Sequence, residues 1–147
     1  MRIYMDVCCL SRPFDDLTQA KNYLEAEAVM SIMSLCEHEG WTLLSSSVID
    51  YELSRVADAH KIEQVETLYC VSSEYVTMST NNEKRASYFQ QNGIKPMDSY
   101  HLAVAESCEA DVLLTTDKKF LNAANKLNLK IKVANPLSWF MEVIDSE

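Results

Sequence analysis

Four acidic residues fall where they can do chemistry together: Asp6, Glu52, Asp98 and Asp117. Asp6 closes the apolar run Ile3-Tyr4-Met5, and Glu52 lies in a helix-like stretch that follows Trp41-Thr42-Leu43-Leu44. Asp98 opens a helix at Pro96, and Asp117 ends the segment begun by Val112-Leu113-Leu114. In open α/β sheets, ligands bind outside the carboxyl ends of the strands, where the following helices start. Carboxylates gathered at one point repel one another unless something positive sits among them. Hard divalent cations meet that need, and Mg²⁺ takes a few carboxylates while keeping several waters. Two such ions can activate a water and stabilise the leaving oxygen of an in-line phosphodiester displacement.

The elements that must hold these acids are plainest over residues 95–120. Pro96 suits a first helical turn, where its missing N–H has no intrahelical partner. An apolar stripe follows through Tyr100, Leu102, Ala103, Val104 and Ala105, with Asp98 in a first turn that favours negative charge. Glu109-Ala110-Asp111 reads as the turn out. Val112-Leu113-Leu114 is the uninterrupted apolar run of a strand covered on both faces. Beyond Thr115-Thr116-Asp117, residues 118–127 resume helical spacing.

Upstream, Ile3-Tyr4-Met5 predicts the first strand, and residues 7–16, which include Pro13, read as a loop. Asp15, Asp16 or Thr18 is placed to cap the next helix. That helix runs through Leu24, Ala28, Ile32 and Leu35 and stops at Gly40. Trp41 to Leu44 predicts a second strand ended by Ser45-Ser46-Ser47. A helix over residues 48–57 puts Ile49, Leu53 and Val56 on one face, with Glu52 beside them. Ile62, Val65, Leu68 and Tyr69 mark another helix. Tyr75-Val76-Thr77-Met78 is a third strand, and Asn81 or Asn82 caps a helix over 83–91 that Asn92-Gly93 ends. Lys130-Ile131-Lys132-Val133 is the last strand, and a final helix after Asn135-Pro136 carries Leu137, Phe140 and Val143. Strands alternating with helices predict an α/β fold, a parallel sheet with helices on both faces.

The length of 147 residues suits a single domain over residues 1–147. No apolar run approaches the roughly 20 residues of a membrane span, and the N-terminus shows no signal-peptide pattern. Cys8-Cys9 are adjacent while Cys36, Cys70 and Cys108 lie alone, which fits reduced thiols in a cytoplasmic protein better than a disulfide framework. The net charge of −9, from 22 acids against 13 Lys+Arg, argues against a strong nucleic-acid binder. It leaves room for an enzyme whose metal ions make the phosphate contacts.

In order and spacing, several segments together resemble the PIN domain family, which includes the toxin ribonucleases of VapC-type toxin–antitoxin pairs. They are Tyr4-Met5-Asp6, Ser47-Val48-Ile49-Asp50-Tyr51-Glu52, Asp98-Ser99-Tyr100-His101-Leu102-Ala103, Leu114-Thr115-Thr116-Asp117 and Asn135-Pro136. Residues 8–16 resemble one branch of that family. The resemblance covers nearly the whole chain and implies a three-layer α/β/α fold with a five-stranded sheet in the order 3-2-1-4-5. It also implies Mg²⁺- or Mn²⁺-dependent endoribonuclease activity, with Asp6, Glu52, Asp98 and Asp117 as the metal-binding, catalytic acids. An antitoxin protein and a second copy of the chain are the partners it suggests beside RNA. Two departures stand out: Val7 and Cys8 where many relatives have a small polar residue, and Lys119 where some carry a further acid.

Plainer roles exist for each residue. Asp6 can simply end a strand, Asp98 can serve the helix dipole, Asp117 can cap a helix, and Glu52 can ride a solvated face. Asp50 and Asp111 are read as structural, the first turned away from Glu52 and the second at the wrong edge of the sheet. His101, one turn after Asp98, is placed to touch substrate or orient a bound water, or to be a satisfied, partly buried histidine. Arg12, Lys118 and Lys119 are placed to hold phosphates, and Ser11 and Thr115 to support the acids. Cys8 has no histidine beside it in sequence to make it a nucleophile. Rival readings are a catalytically inactive PIN-like module that binds a partner protein, a receiver domain and a D-x-D phosphatase. The receiver lacks an acid between Tyr75 and Asn82, and the phosphatase lacks its second acid because Cys8 stands there.

Overall fold

The structure, a computed structural model, describes residues 1–146. Strands β1 (Arg2–Met5), β2 (Thr42–Ser46), β3 (Glu74–Val76), β4 (Val112–Leu114) and β5 (Lys132–Ala134) form one sheet in the order 3-2-1-4-5. Every pairing is parallel, and Ile3 of β1 lies between Leu43 of β2 and Val112 of β4. Ile3, Tyr4, Met5, Leu43, Leu44 and all of β4 are buried. Such unbroken apolar strands belong in a parallel sheet whose two faces are both covered.

The covering helices are α1 (Val7–Ser11), α2 (Ala20–His38), α3 (Ser47–Ser54), α4 (Ala59–Tyr69), α5 (Thr80–Gln91), α6 (Pro96–Ser107), α7 (Lys118–Asn125) and α8 (Pro136–Asp145). Helix α2 packs on α8, α6 takes α3 and α5, and α4 lies on α1. None of the described helices is long and apolar enough to cross a membrane. The chain leaves α2 through Gly40 at φ +79°, a left-handed conformation that a side chain would strain.

The boundaries differ from the sequence reading where polar residues carry structure. Residues 7–16 are not a loop: α1 occupies their first part and a 3-10 turn, Arg12–Phe14, follows. A five-residue helix is too short to show periodicity, and its start signal is Asp6 itself, here both a strand end and an N-cap. Neither Asp15, Asp16 nor Thr18 caps α2; Asp16 instead accepts hydrogen bonds from Thr18. Ser45 and Ser46 extend β2 instead of ending it, and Ser46 caps α3, which stops at Ser54. Ser79 caps α5 in a reciprocal pair with Asn82. The last strand lies two residues later than expected, at Lys132–Ala134.

Candidate active site

The strand order reverses between β1 and β4, so their carboxyl ends frame the crevice where open sheets bind ligands. Asp6 is fastened there by its N–H to the Leu114 carbonyl at 3.2 Å. Its carboxylate accepts from the Cys9 N–H at 2.9 Å, which starts α1. Across the crevice, Asp117 caps α7 through one oxygen, Oδ1, which accepts from Lys119 and Phe120 N–H at 2.9 and 3.2 Å. The Thr115 hydroxyl accepts the Asp117 N–H at 3.1 Å and holds the turn. Asp98 stands in the first turn of α6 without acting as its cap. Glu52, on α3, lines the same cleft, and its Oε1 lies 2.8 Å from His101 Nε2.

The electrostatics tie these acids together. Burial pushes the Asp6 carboxyl up to about 6, against the lowering effects of His101, the Thr115 side chain and the Cys9 N–H. Burial, then the charges of Asp6 and Asp117, push Asp98 up to about 7. Partial burial and the fields of Asp6, Glu52, Asp117 and Asp98 raise the Cys8 thiol. Cys8 is therefore held as a thiol and has no thiolate to offer as a nucleophile.

A cleft of about 450 Å³ opens beside the acids, with Glu52, Asp117 and Cys8 on its walls. Arg12 and Lys61 share it. One carboxylate bridges them: Asp15 accepts from Arg12 Nη1 at 2.8 Å and from Lys61 Nζ at 2.9 Å. Arg12 Nε also lies 3.0 Å from the buried Glu25. Lys61 escaped the sequence reading because only the packing of α4 on α1 brings it here; nothing local marks it. Lys118 is exposed, next to Asp117, and Ser11 lines the cleft. His101, read as placed either to touch substrate or to be a satisfied histidine, is 1% exposed, with Nε2 on Glu52 and Nδ1 on the Tyr4 hydroxyl. Asp50 accepts from the Tyr69 and Tyr75 hydroxyls, and Asp111 pairs with the Arg2 backbone at the opposite edge of the sheet.

Among the described residues, no three His, Cys, Asp or Glu side chains stand close enough together to enclose an ion by themselves. The donor set nonetheless fits Mg²⁺ or Mn²⁺. Its donors are hard carboxylate oxygens, and Mg²⁺ is held by one or two carboxylates with water completing the shell. Burial raises both the Asp6 and the Asp98 carboxyl, and Asp98 is raised further by the charges of Asp6 and Asp117, a repulsion that a cation would relieve.

A parallel sheet in this order with acids at its switch point defines a class of small α/β domains. The PIN domain family profile matches residues 3–126, and the chain belongs to that family. Comparison with curated proteins gives no match. Among solved structures, FitAcB from Neisseria gonorrhoeae is similar with a TM-score of 0.58 and 16% identity, covering 91% of this chain and 97% of that one. PAE2754 from Pyrobaculum aerophilum gives 0.56 and 15%, over 100% and 91%. VapBC2 from Rickettsia felis, bound to a DNA fragment from its promoter, gives 0.56 and 16%, over 92% and 98%. At these identities the likeness is one of fold.

Proposed function

We propose that the protein is a Mg²⁺- or Mn²⁺-dependent endoribonuclease that hydrolyses RNA phosphodiester bonds at the β1–β4 switch point. The observation that carries this reading is the placement of the acids at one sheet edge. Asp6 and Asp117 follow the neighbouring strands β1 and β4 and cap the helices after them, and Asp98 lies in the field of both. Asp6, Asp98 and Asp117, with Glu52, are the residues that would hold the cation. When bound, it supplies Lewis-acid charge neutralisation at the phosphate and a lowered pKa for the attacking water. The chain's own groups do the rest. Asp6 and Asp117 are pre-set by their cap bonds, Thr115 holds the Asp117 turn, and Arg12, Lys61 and Lys118 offer the phosphate contacts. Water adds to phosphorus as the P–O bond to the leaving ribose oxygen breaks.

The test is Mn²⁺-dependent cleavage of a mixed RNA pool by wild type, Asp6→Asn and Asp117→Asn. Asparagine caps a helix about as well as aspartate, so both variants should fold. Loss of several kcal/mol of charge stabilisation predicts activity down by about 10²–10³-fold. Wild-type cleavage by Asp6→Asn would sink the assignment.

A second reading, an inactive PIN module acting through an antitoxin-like partner, is favoured by a separate apolar groove of about 560 Å³. It lies between α2 and α4, lined by Phe14, Met30, Met33, Leu68 and Val71 among others, and contains none of the four acids. That reading predicts a stable protein complex and no turnover of any RNA by wild type. Cytoplasmic residence, a single domain and a homodimer complete the proposal.

A further inference from the structure

Glu52 owes its place to a buried chain of hydrogen bonds. Its Oε1 is 2.8 Å from His101 Nε2, His101 Nδ1 is 2.7 Å from the Tyr4 hydroxyl, and that hydroxyl is 2.8 Å from Ser46 Oγ. Ser46 Oγ accepts the Ile49 N–H at 3.2 Å as the N-cap of α3. Tyr4, Ser46 and His101 are all buried. The chain therefore leaves α3 at Glu52, crosses α6 and β1, and returns to α3 at its own cap. Rotation of α3, which would swing Glu52 out of the cleft, is opposed at both ends.

Proton accounting orients the chain. With the proton on Nε2, His101 donates to Glu52, Tyr4 donates to Nδ1, Ser46 donates to Tyr4, and Ile49 donates to Ser46. Every donor then has one acceptor. With the proton on Nδ1 alone, the Nε2 lone pair faces the Glu52 carboxylate, and the buried Ser46 hydroxyl loses its acceptor, a costly vacancy.

We propose that His101 and Tyr4 are positioning residues for Glu52: the Nε2–H bond fixes Oε1 and leaves Oε2 for the cleft. This role rests on the nuclease reading, in which Glu52 helps to hold the cation. Partners that orient ligands in this way typically change metal affinity or activity by about 10–100-fold when removed.

The experiment has a metal-free arm and a metal arm. Imidazole ¹⁵N NMR of the metal-free protein reads the ring protons, and Nε2–H on His101 is expected; a ring protonated on Nδ1 and bare at Nε2 overturns the proposal. Mn²⁺ affinity is then measured by the electron paramagnetic resonance signal of free Mn²⁺. Tyr4→Phe removes one hydroxyl and His101→Gln removes the ring. Each is expected to raise the Mn²⁺ Kd about 10-fold and to lower kcat with the RNA KM unchanged. In a Glu52→Ala background, Tyr4→Phe should add nothing, because its effect passes through Glu52. An equal loss in both backgrounds, or a lower Tm with unchanged Mn²⁺ affinity, overturns the role. Should His101→Gln fail to fold, Tyr4→Phe still decides. If wild type shows the expected tautomer but binds no Mn²⁺, the nuclease reading falls and the positioning role falls with it, a result the spectrum separates from failure of the bond chain.

Discussion

Asp98 stands in the field of Asp6. Burial first, then the charges of Asp6 and Asp117, lift the Asp98 carboxyl to about 7, while burial lifts Asp6 to about 6. Ionising both acids, against burial and in Asp98 against the charge of Asp6 as well, costs the metal-free fold free energy near neutral pH. A divalent cation among them would offset that cost.

The sign of the resulting pH dependence follows from linkage. In the unfolded chain both groups titrate near 3.8, so between that pH and about 6–7 the folded state holds more protons. Their contribution to stability is therefore fully present below about pH 4 and lost as pH rises through 6 and 7. Metal-free protein should unfold more readily at pH 7.5 than at pH 5.5, as read by urea midpoints. Asp98→Asn removes one of the repelling charges and should raise stability at pH 7.5, on the order of a kcal/mol, while flattening the profile. A variant less stable than wild type at pH 7.5 would contradict the assignment of Asp98 to a crowded site.

Metal reverses that trend, because the carboxylates must be ionised to bind it. Mn²⁺ at about 100 times its dissociation constant should add about 2.7 kcal/mol, or several degrees of Tm. The increment should grow between pH 5.5 and pH 8 as Asp6 and Asp98 lose their protons, and vanish in Asp98→Asn. Thermal unfolding with and without Mn²⁺ at the two pH values measures it. A shift that is equal at both, or that survives in the variant, places the ion elsewhere.

The inner strands were legible in the sequence because burial in a parallel sheet forces apolar runs, and Asp6 and Asp117 stand just past two of those runs. Glu52 and Asp98 lie within helices, where no strand end marks them. Val112-Leu113-Leu114 is buried throughout, as its composition demanded. What it concealed were polar residues with two duties. Asp6 ends a strand and starts a helix, so α1 looked like loop; Ser46 ends β2 and caps α3, so its serines looked like a turn. His101 read as a possible substrate contact because helical spacing places it near Asp98. Only tertiary packing reveals that Tyr4 and Glu52 occupy both its nitrogens. Lys61 lies on an ordinary polar helix face and acquires a role solely through the fold.

Asp50 tests whether an acid close in sequence to Glu52 is structural. Its two oxygens accept from Tyr69 and Tyr75 at 2.7 Å each, tying α3 to α4 and β3; burial and then the Asp50 bond raise the Tyr69 phenol, and the Asp50 bond raises that of Tyr75. Asp50→Ala should cost about 1 kcal/mol per lost bond and leave Mn²⁺ affinity unaltered. Chemical denaturation beside a Mn²⁺ titration separates the two effects. A weakened Mn²⁺ site with unchanged stability would move Asp50 into the ligand set.

Arg12 and Lys61 pose the last question, how a chain of net charge −9 would hold a polyanion. Both are bound by Asp15, at 2.8 and 2.9 Å, at the wall of the acid cleft. If the pair receives a phosphate, Asp15 competes with substrate for it. Lys61→Ala should then raise KM, leave kcat and Mn²⁺ affinity unchanged, and reduce the salt slope by about 0.7 for one lost single-strand phosphate contact. Asp15→Asn weakens the competitor and should lower KM. Opposite signs are the signature, because a purely structural ion-pair network would be damaged by either change and both KM values would move the same way. Steady-state kinetics at two salt concentrations distinguishes the cases: a rise in KM for both variants would assign the network to the fold and leave phosphate binding to Lys118 and the cation.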